Sequence, residues 1–183
     1  MQTTVRAARS ARSLWLAAGV ATSLIGTALS PGLAQTRPHR DWVHLGSGYS
    51  PVPAVRAAQY LLREQGFALN VDGSYGSQTR EKVRRFQAKI GLDTTGVVDN
   101  QTWERLVIPV HRGSRGNAVR AVQSLLRAYS GPVGNWRYSV PLDGVFNAQT
   151  ERAVRLFQTN SDLHVDGLVG PLTWCQLVSD ASG

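Results

Sequence analysis

Residues able to do covalent chemistry are few in this 183-residue chain, and their spacing works against it. The histidines are His39, His44, His111 and His164. None forms His-Glu-x-x-His, and no His-x-His or His-x3-Asp spacing offers a zinc peptidase its ligands. The single cysteine, Cys175, follows Trp174 and lacks the Ser-x-Gly-Cys context of a cysteine transpeptidase. It reads as a small buried hydrophobe. Glycoside hydrolysis needs two positioned carboxylates. Asp72 and Asp143 recur at matched places, but both sit in turn sequences and no second acid is singled out. No catalytic residue, cofactor or metal site is expected.

The residues suited to binding come in matched pairs instead: Gln59 with Gln123, Arg63 with Arg127, Arg84 with Arg155, and Gln87 with Gln158. These are the candidate ligand contacts. Each glutamine has an alternative role, tying a helix to a nearby loop backbone, because a half-buried amide prefers an internal partner. Each arginine has the alternative of a solvated face. A further candidate is Trp136-Arg137-Tyr138, in the run Ser130–Pro141. Flat rings flanking a cation can stack on sugars while their polar tips reach hydroxyls; alternatively Trp136 folds back over the first helix. Trp103 and Trp174 recur at core spacing and are expected inside.

The pairs belong to a repeat. Residues 72–79 read DGSYGSQT and residues 143–150 read DGVFNAQT, an offset of 71. The match continues through Val83/Val154, Phe86-Gln87/Phe157-Gln158, Gly96/Gly167 and Thr102-Trp103/Thr173-Trp174. Upstream the offset is 64, with Val55 on Val119 and Gln59 on Gln123, so the second copy holds seven extra residues before its Asp-Gly. The octet also recurs 23 residues on within each copy, as TGVVDNQT from Thr95 and DGLVGPLT from Asp166. Asp-Gly opens a turn, since glycine accepts positive φ. The apolar residue two places on (Tyr75, Val98, Phe146, Val169) can enter a core. Gly76, Asp99, Asn147 and Gly170 then suit a helix N-cap. Helices are predicted at about 53–65, 77–89 and 100–107, and at about 117–129, 148–160 and 171–178, with apolar residues at helical spacing.

The chain opens with Arg6, Arg9 and Arg12, the apolar run Leu14–Leu29, and small residues before a cut after Ala34. This is the layout of a secretory signal peptide. A retained anchor is the alternative, although the run of about 16 residues is short for a span. No later segment is apolar enough to cross a bilayer. The formal charge of +8 falls to about +5 without the three leader arginines. A basic exported protein favours anionic wall polymers; nucleic acid is disfavoured by the leader.

Val55-x3-Gln59-x2-Leu62, then Asp72-Gly73-x2-Gly76-x2-Thr79, then Val83-x2-Phe86-Gln87, together with Asp166-Gly167-x-Val169-Gly170-x2-Thr173-Trp174, resembles the type 1 peptidoglycan-binding domain family. Thr95, Asp99-Asn100 and Asn147 depart from its usual Asp, Gly-Pro and Gly, and all suit turn and cap roles. The resemblance implies an all-α fold of two tandem three-helix modules. The expected organisation is a signal peptide over 1–34, an extended segment over 35–48, module 1 over 49–107, a linker over 108–112, module 2 over 113–178 and a tail over 179–183. Residues 35–52 are expected to be poorly ordered. It implies an exported, non-catalytic peptidoglycan-binding protein, with no membrane association after leader cleavage. Alternatives are a secreted adaptor or inhibitor that binds a wall enzyme, and a minimal wall hydrolase.

Overall fold

The computed structural model describes residues 41–46, 48, 50–129 and 139–181. The expected signal peptide and the candidate residues Trp136, Arg137 and Tyr138 lie outside the described residues. Six helices follow in order: α1 Val52–Glu64, α2 Ser77–Lys89, α3 Asn100–Leu106, α4 Asn117–Ala128, α5 Ala148–Asn160 and α6 Pro171–Asp180. Among the described residues the only β structure is three isolated bridges. The fold is all-α, two tandem three-helix modules within one compact unit.

Sequence accounts for the helix ends. Pro53 occupies the first turn of α1 and Pro171 that of α6, where a missing N–H costs nothing. Asp99 caps α3 by accepting from Thr102 N at 2.8 Å, and Asn147 caps α5 by accepting from Gln149 N and Thr150 N. At the end of α5, Asp162 adopts φ 51°, the left-handed conformation that Gly91 supplies in module 1.

The modules meet through α1 and α4, the most extensive helix pair. Ala54, Ala57 and Ala58 of α1 and Ala118 and Ala121 of α4 are all buried. Small side chains let two helix axes approach closely. Glu64, the last residue of α1, accepts hydrogen bonds from Asn117 N and Ala118 N at the start of α4. Its carboxylate therefore caps a helix of the other module, where the N-cap residue Gly116 has no side chain to do so. Gly116 has φ 117°, and a Cβ there would lie 2.9 Å from the Glu64 carboxylate.

Each module is completed by the chain that precedes its first helix. Trp42 stacks on Trp103 at 5.5 Å, and the Trp103 indole donates to Val43 O at 2.7 Å. Leu45 exchanges two backbone hydrogen bonds with Val98. In module 2 the Trp174 indole donates to Ile108 O at 2.9 Å, and Val110 exchanges two bonds with Val169. Residues 41–46 are extended, yet packed: Trp42 and Leu45 are buried, against the expectation of poor order. Residues 108–110, expected as linker, supply the same lead-in to module 2. Both tryptophans of α3 and α6 are fully buried core residues, as their spacing suggested.

Candidate functional site

Four glutamines organise the four Asp-Gly turns in one way. The Gln59 amide donates to Asp72 Oδ1 (2.8 Å), Ser74 O (3.1 Å) and Thr79 Oγ1 (3.1 Å), while its Oε1 accepts from Gly73 N (2.9 Å). Gln87 does the same with Thr95 Oγ1, Val97 O, Thr102 Oγ1 and Gly96 N. Gln123 holds Asp143, Val145 O, Thr150 and Gly144 N, and Gln158 holds Asp166, Leu168 O, Thr173 and Gly167 N. Each clasp ties one helix to the turn that starts the next. The terminal threonine of every octet is thereby explained as the third acceptor.

An arginine one helical turn before each glutamine covers the glycine of the turn. A Cβ on Gly73, Gly96, Gly144 or Gly167 would run into Arg56, Arg84, Arg120 or Arg155, respectively. All four glycines have φ between 72° and 80°. Glycine is therefore required twice over, by backbone conformation and by the side chain lying above it.

The turns also set carboxylate acidity. The Gln59 amide, and then the Ser74 N–H, hold Asp72 below the usual carboxylate range. The Val145 N–H, and then Gln123, do so for Asp143. Burial pushes Asp166 up, but the Leu168 N–H, Gln158 and His164 together outweigh it and leave it lowered.

The modules differ at their first turn. In module 1 a groove of about 620 Å³ opens between the lead-in and the turn, lined by Gly46, Gly48, Ser50, Val52, Asp72, Gly73, Ser74, Tyr75 and Arg80. The Tyr75 hydroxyl donates to Gly96 O at 2.8 Å, linking the module's two turns. Burial pushes its phenol well up, against the opposing pull of Arg80 and Arg84, so it stays a neutral donor. Arg80 Nη2 donates to Gly46 O at 3.3 Å. In module 2 the lead-in lies on the turn: Gly113 N donates to Phe146 O, Phe146 N to Ser114 O and Gly116 N to Gly144 O, each at 2.9 Å. Among the described residues no backbone hydrogen bond joins 50–52 to 73–75. The position of Arg80 is taken in module 2 by Glu151, which pairs with Arg112 and Arg155 at 3.4 Å.

Comparison with known proteins recognises both repeats. A family model described as "Putative peptidoglycan binding domain" matches residues 51–106 and again 115–177. The chain belongs to this family. It is 45% identical over 65 residues to an "uncharacterized protein in bpoA1 3'region" of Kitasatospora aureofaciens, covering 34% of this chain and 48% of that one. It is 26% identical over 148 residues to a "probable N-acetylmuramoyl-L-alanine amidase" of Bacillus licheniformis, covering 68% of this chain and 42% of the amidase. The chain thus spans less than half the length of these curated relatives. A solved structure, the SleB N-terminal domain, is 36% identical with a TM-score of 0.36, over 40% of this chain and 93% of that one.

Within these peptidoglycan-binding modules the candidate residues are not gathered into one site. Gln59, Gln87, Gln123 and Gln158 are at most 1% exposed, and both ends of each amide are occupied inside the clasps. They are removed from the ligand contacts, because no amide atom is left to face a ligand. Arg84 and Arg155 are exposed over the second turn of their modules. Arg127 is exposed in the last turn of α4, and Arg63 in that of α1, where it lines a smaller depression of about 380 Å³ with Asn70 and Gln78. The groove residues Asp72, Tyr75 and Arg80 were not among the candidates. Neither were Arg56 and Arg120, although Arg-x-x-Gln stands four times in the sequence, from Arg56, Arg84, Arg120 and Arg155.

Proposed function

We propose that the chain is an exported, non-catalytic peptidoglycan-binding protein that acts as one rigid unit and engages the wall through the groove of module 1. The open groove beside Asp72 and Arg80 carries this reading, set in a chain built of two peptidoglycan-binding modules. A volume of about 620 Å³ lies within the range of small-ligand sites, about 300–1,000 Å³. The net positive charge of the chain favours an anionic polymer. Because α1 and α4 are packed face to face, avidity through a loose tether is not the operating principle; the modules present themselves together.

The test is co-sedimentation of the chain with purified peptidoglycan stripped of teichoic acid, across a salt series. Retention that survives moderate salt is expected, since a formed site resists screening while diffuse charge attraction does not. Loss of binding at modest salt refutes the reading. No release of new amines or reducing ends from the wall is expected; release would make the chain a hydrolase.

One observation favours a second reading, an adaptor that holds a wall enzyme. Leu142, Leu156, Val165, Leu168 and Leu172 are 40–52% exposed, all in module 2. Saturable binding to a purified wall amidase without wall present supports that reading over direct wall binding.

A further inference from the structure

We propose that the groove of module 1 holds the peptide of the wall polymer, at an amino-acid end carrying both an ammonium and a carboxylate, and that module 2 has no such site. This rests on the peptidoglycan-binding reading and adds which part of the polymer is held.

The groove lining carries one anion, Asp72, and one cation, Arg80, with Arg56 over Gly73 pulling on the same carboxylate. Both hydrogen bonds that hold the Asp72 side chain fall on Oδ1, from Gln59 and from Ser74 N, so Oδ2 is available to an ammonium. The clasp keeps this carboxylate ionised. Arg80 uses Nη2 on Gly46 O and retains the rest of its fork for a carboxylate, the geometry guanidinium matches best. Of the lining glycines, Gly46 and Gly73 are covered by Tyr75 and by Val52 with Arg56, while Gly48 has open space beside it and admits close approach of another main chain. Val52, half exposed, forms one apolar wall.

Tyr75 gives a glycan no free stacking platform in this groove. Sugar recognition of the stacking kind needs an accessible ring face. Tyr75 is the one aromatic residue among the described lining of the groove; its hydroxyl is committed to Gly96 O, and Gly46 lies so close that a Cβ there would be 2.7 Å from Cε1.

Module 2 keeps the anion, with Asp143 held through Oδ1 by Gln123 and Val145 N, but lacks the cation and the opening. Its lead-in is bonded down on the turn, Phe146 replaces Tyr75, and Glu151 replaces Arg80. A carboxylate ligand would meet a glutamate there. The cause is legible in chain length: from the bridge residue to the matched helix residue, Leu45 to Val55, module 1 has one residue more than module 2 has from Val110 to Val119. Both lead-ins hold two positive-φ glycines, Gly46 and Gly48 in one and Gly113 and Gly116 in the other, so the extra residue is the difference, and among the described residues no backbone bond ties 50–52 to the turn.

The test is calorimetric titration of the chain with defined muropeptides, beside sedimentation with intact peptidoglycan. The probes are a disaccharide-tripeptide ending in free meso-diaminopimelate, the same compound with its side-chain carboxylate amidated, and the disaccharide without peptide. The first is expected to bind. Amidation, Arg80→Gln and Asp72→Asn are each expected to weaken binding about tenfold, the scale of one charged hydrogen bond. The Asp72→Asn side chain keeps an oxygen for the clasp, and Arg80 is exposed, so the thermal midpoint of Arg80→Gln should be unchanged. Glu151→Arg should leave affinity unchanged. If the disaccharide binds as well as the tripeptide, or neither amidation nor Arg80→Gln matters, while intact peptidoglycan still retains the chain, this inference falls and the wall-binding reading stands. If intact peptidoglycan is not retained, the reading fails and takes this inference with it.

Discussion

The two modules carry the same internal clasps and differ at the approach to their first helix. In module 2 the lead-in from Val110 to Gly116 runs flush against the turn at Gly144–Phe146. In module 1, whose lead-in is one residue longer, no backbone hydrogen bond joins residues 50–52 to 73–75 among the described residues, and a groove lies there. Binding capacity in this fold is therefore separable from stability. The clasps recur because they hold helices together; the groove of module 1 depends on a short connection that the clasps do not constrain.

The sharpest way to break this comparison is at the clasps. Gln59→Ala and Gln123→Ala each strip a buried glycine N–H and two or three further groups of their partner. Each is expected to cost about 3 kcal/mol or more, measured by urea denaturation followed through tryptophan fluorescence. The two losses should be alike, with one cooperative transition in both variants, because α1 and α4 share an interface. Two separate transitions would show that the modules fold independently.

A smaller effect is expected at the junction. Glu64→Ala removes the cap that one module places on the other, with an expected loss of about 1–2 kcal/mol. Matched urea curves with and without the substitution check this. At the equivalent place α4 has Ala128, and α1 has Pro53 where α4 has Asn117, so the junction is asymmetric although the modules are repeats.

Acid should distinguish the clasps from one another. Asp72, Asp143 and Asp166 are held below the ordinary value of 3.8 when folded. Near that pH the unfolded chain binds more protons than the folded one. The stabilisation they contribute is complete above about pH 5 and is lost as pH falls through their folded values. Thr95 has no proton to take up. Hydrogen exchange at about pH 3 is expected to expose Gly73, Gly144 and Gly167 N–H before Gly96 N–H. Equal exchange at all four would refute this. The smallest effect is at Asp162: replacement by glycine, as in module 1, is expected to raise stability by about 0.5 kcal/mol, since the residue holds a left-handed backbone. A shifted urea midpoint at unchanged slope would show it.

Much of this architecture was legible in the residues. The octets gave turn and cap, and helical spacing placed α2 and α5 at the ends observed. The glutamines were harder, because an amide between two helices suits a ligand or a turn equally well by type; burial decides, and burial belongs to the assembled fold. Arg-x-x-Gln was present four times but is informative only once the glycine beneath each arginine is known. Trp42 and Leu45 were obscured by polar and glycine neighbours that suggest a loose segment. The equivalence of Val43 and Leu45 to Ile108 and Val110 follows from the two indole hydrogen bonds and the bridges to Val98 and Val169, and with it the one-residue difference beside the groove. The groove could not be read before that register was fixed.

The carbonyls of Val43 and Ile108 that receive the two indoles lie upstream of the helices they serve. Each buried tryptophan thus finds its polar partner in residues that precede its own module's first helix. A fragment cut at the start of α1 or α4 would keep all three helices and yet leave an indole N–H in the core with nothing to bond. The smallest piece that can be duplicated, grafted or swapped between proteins therefore begins several residues before its first helix, and a boundary drawn around the helices alone would divide it.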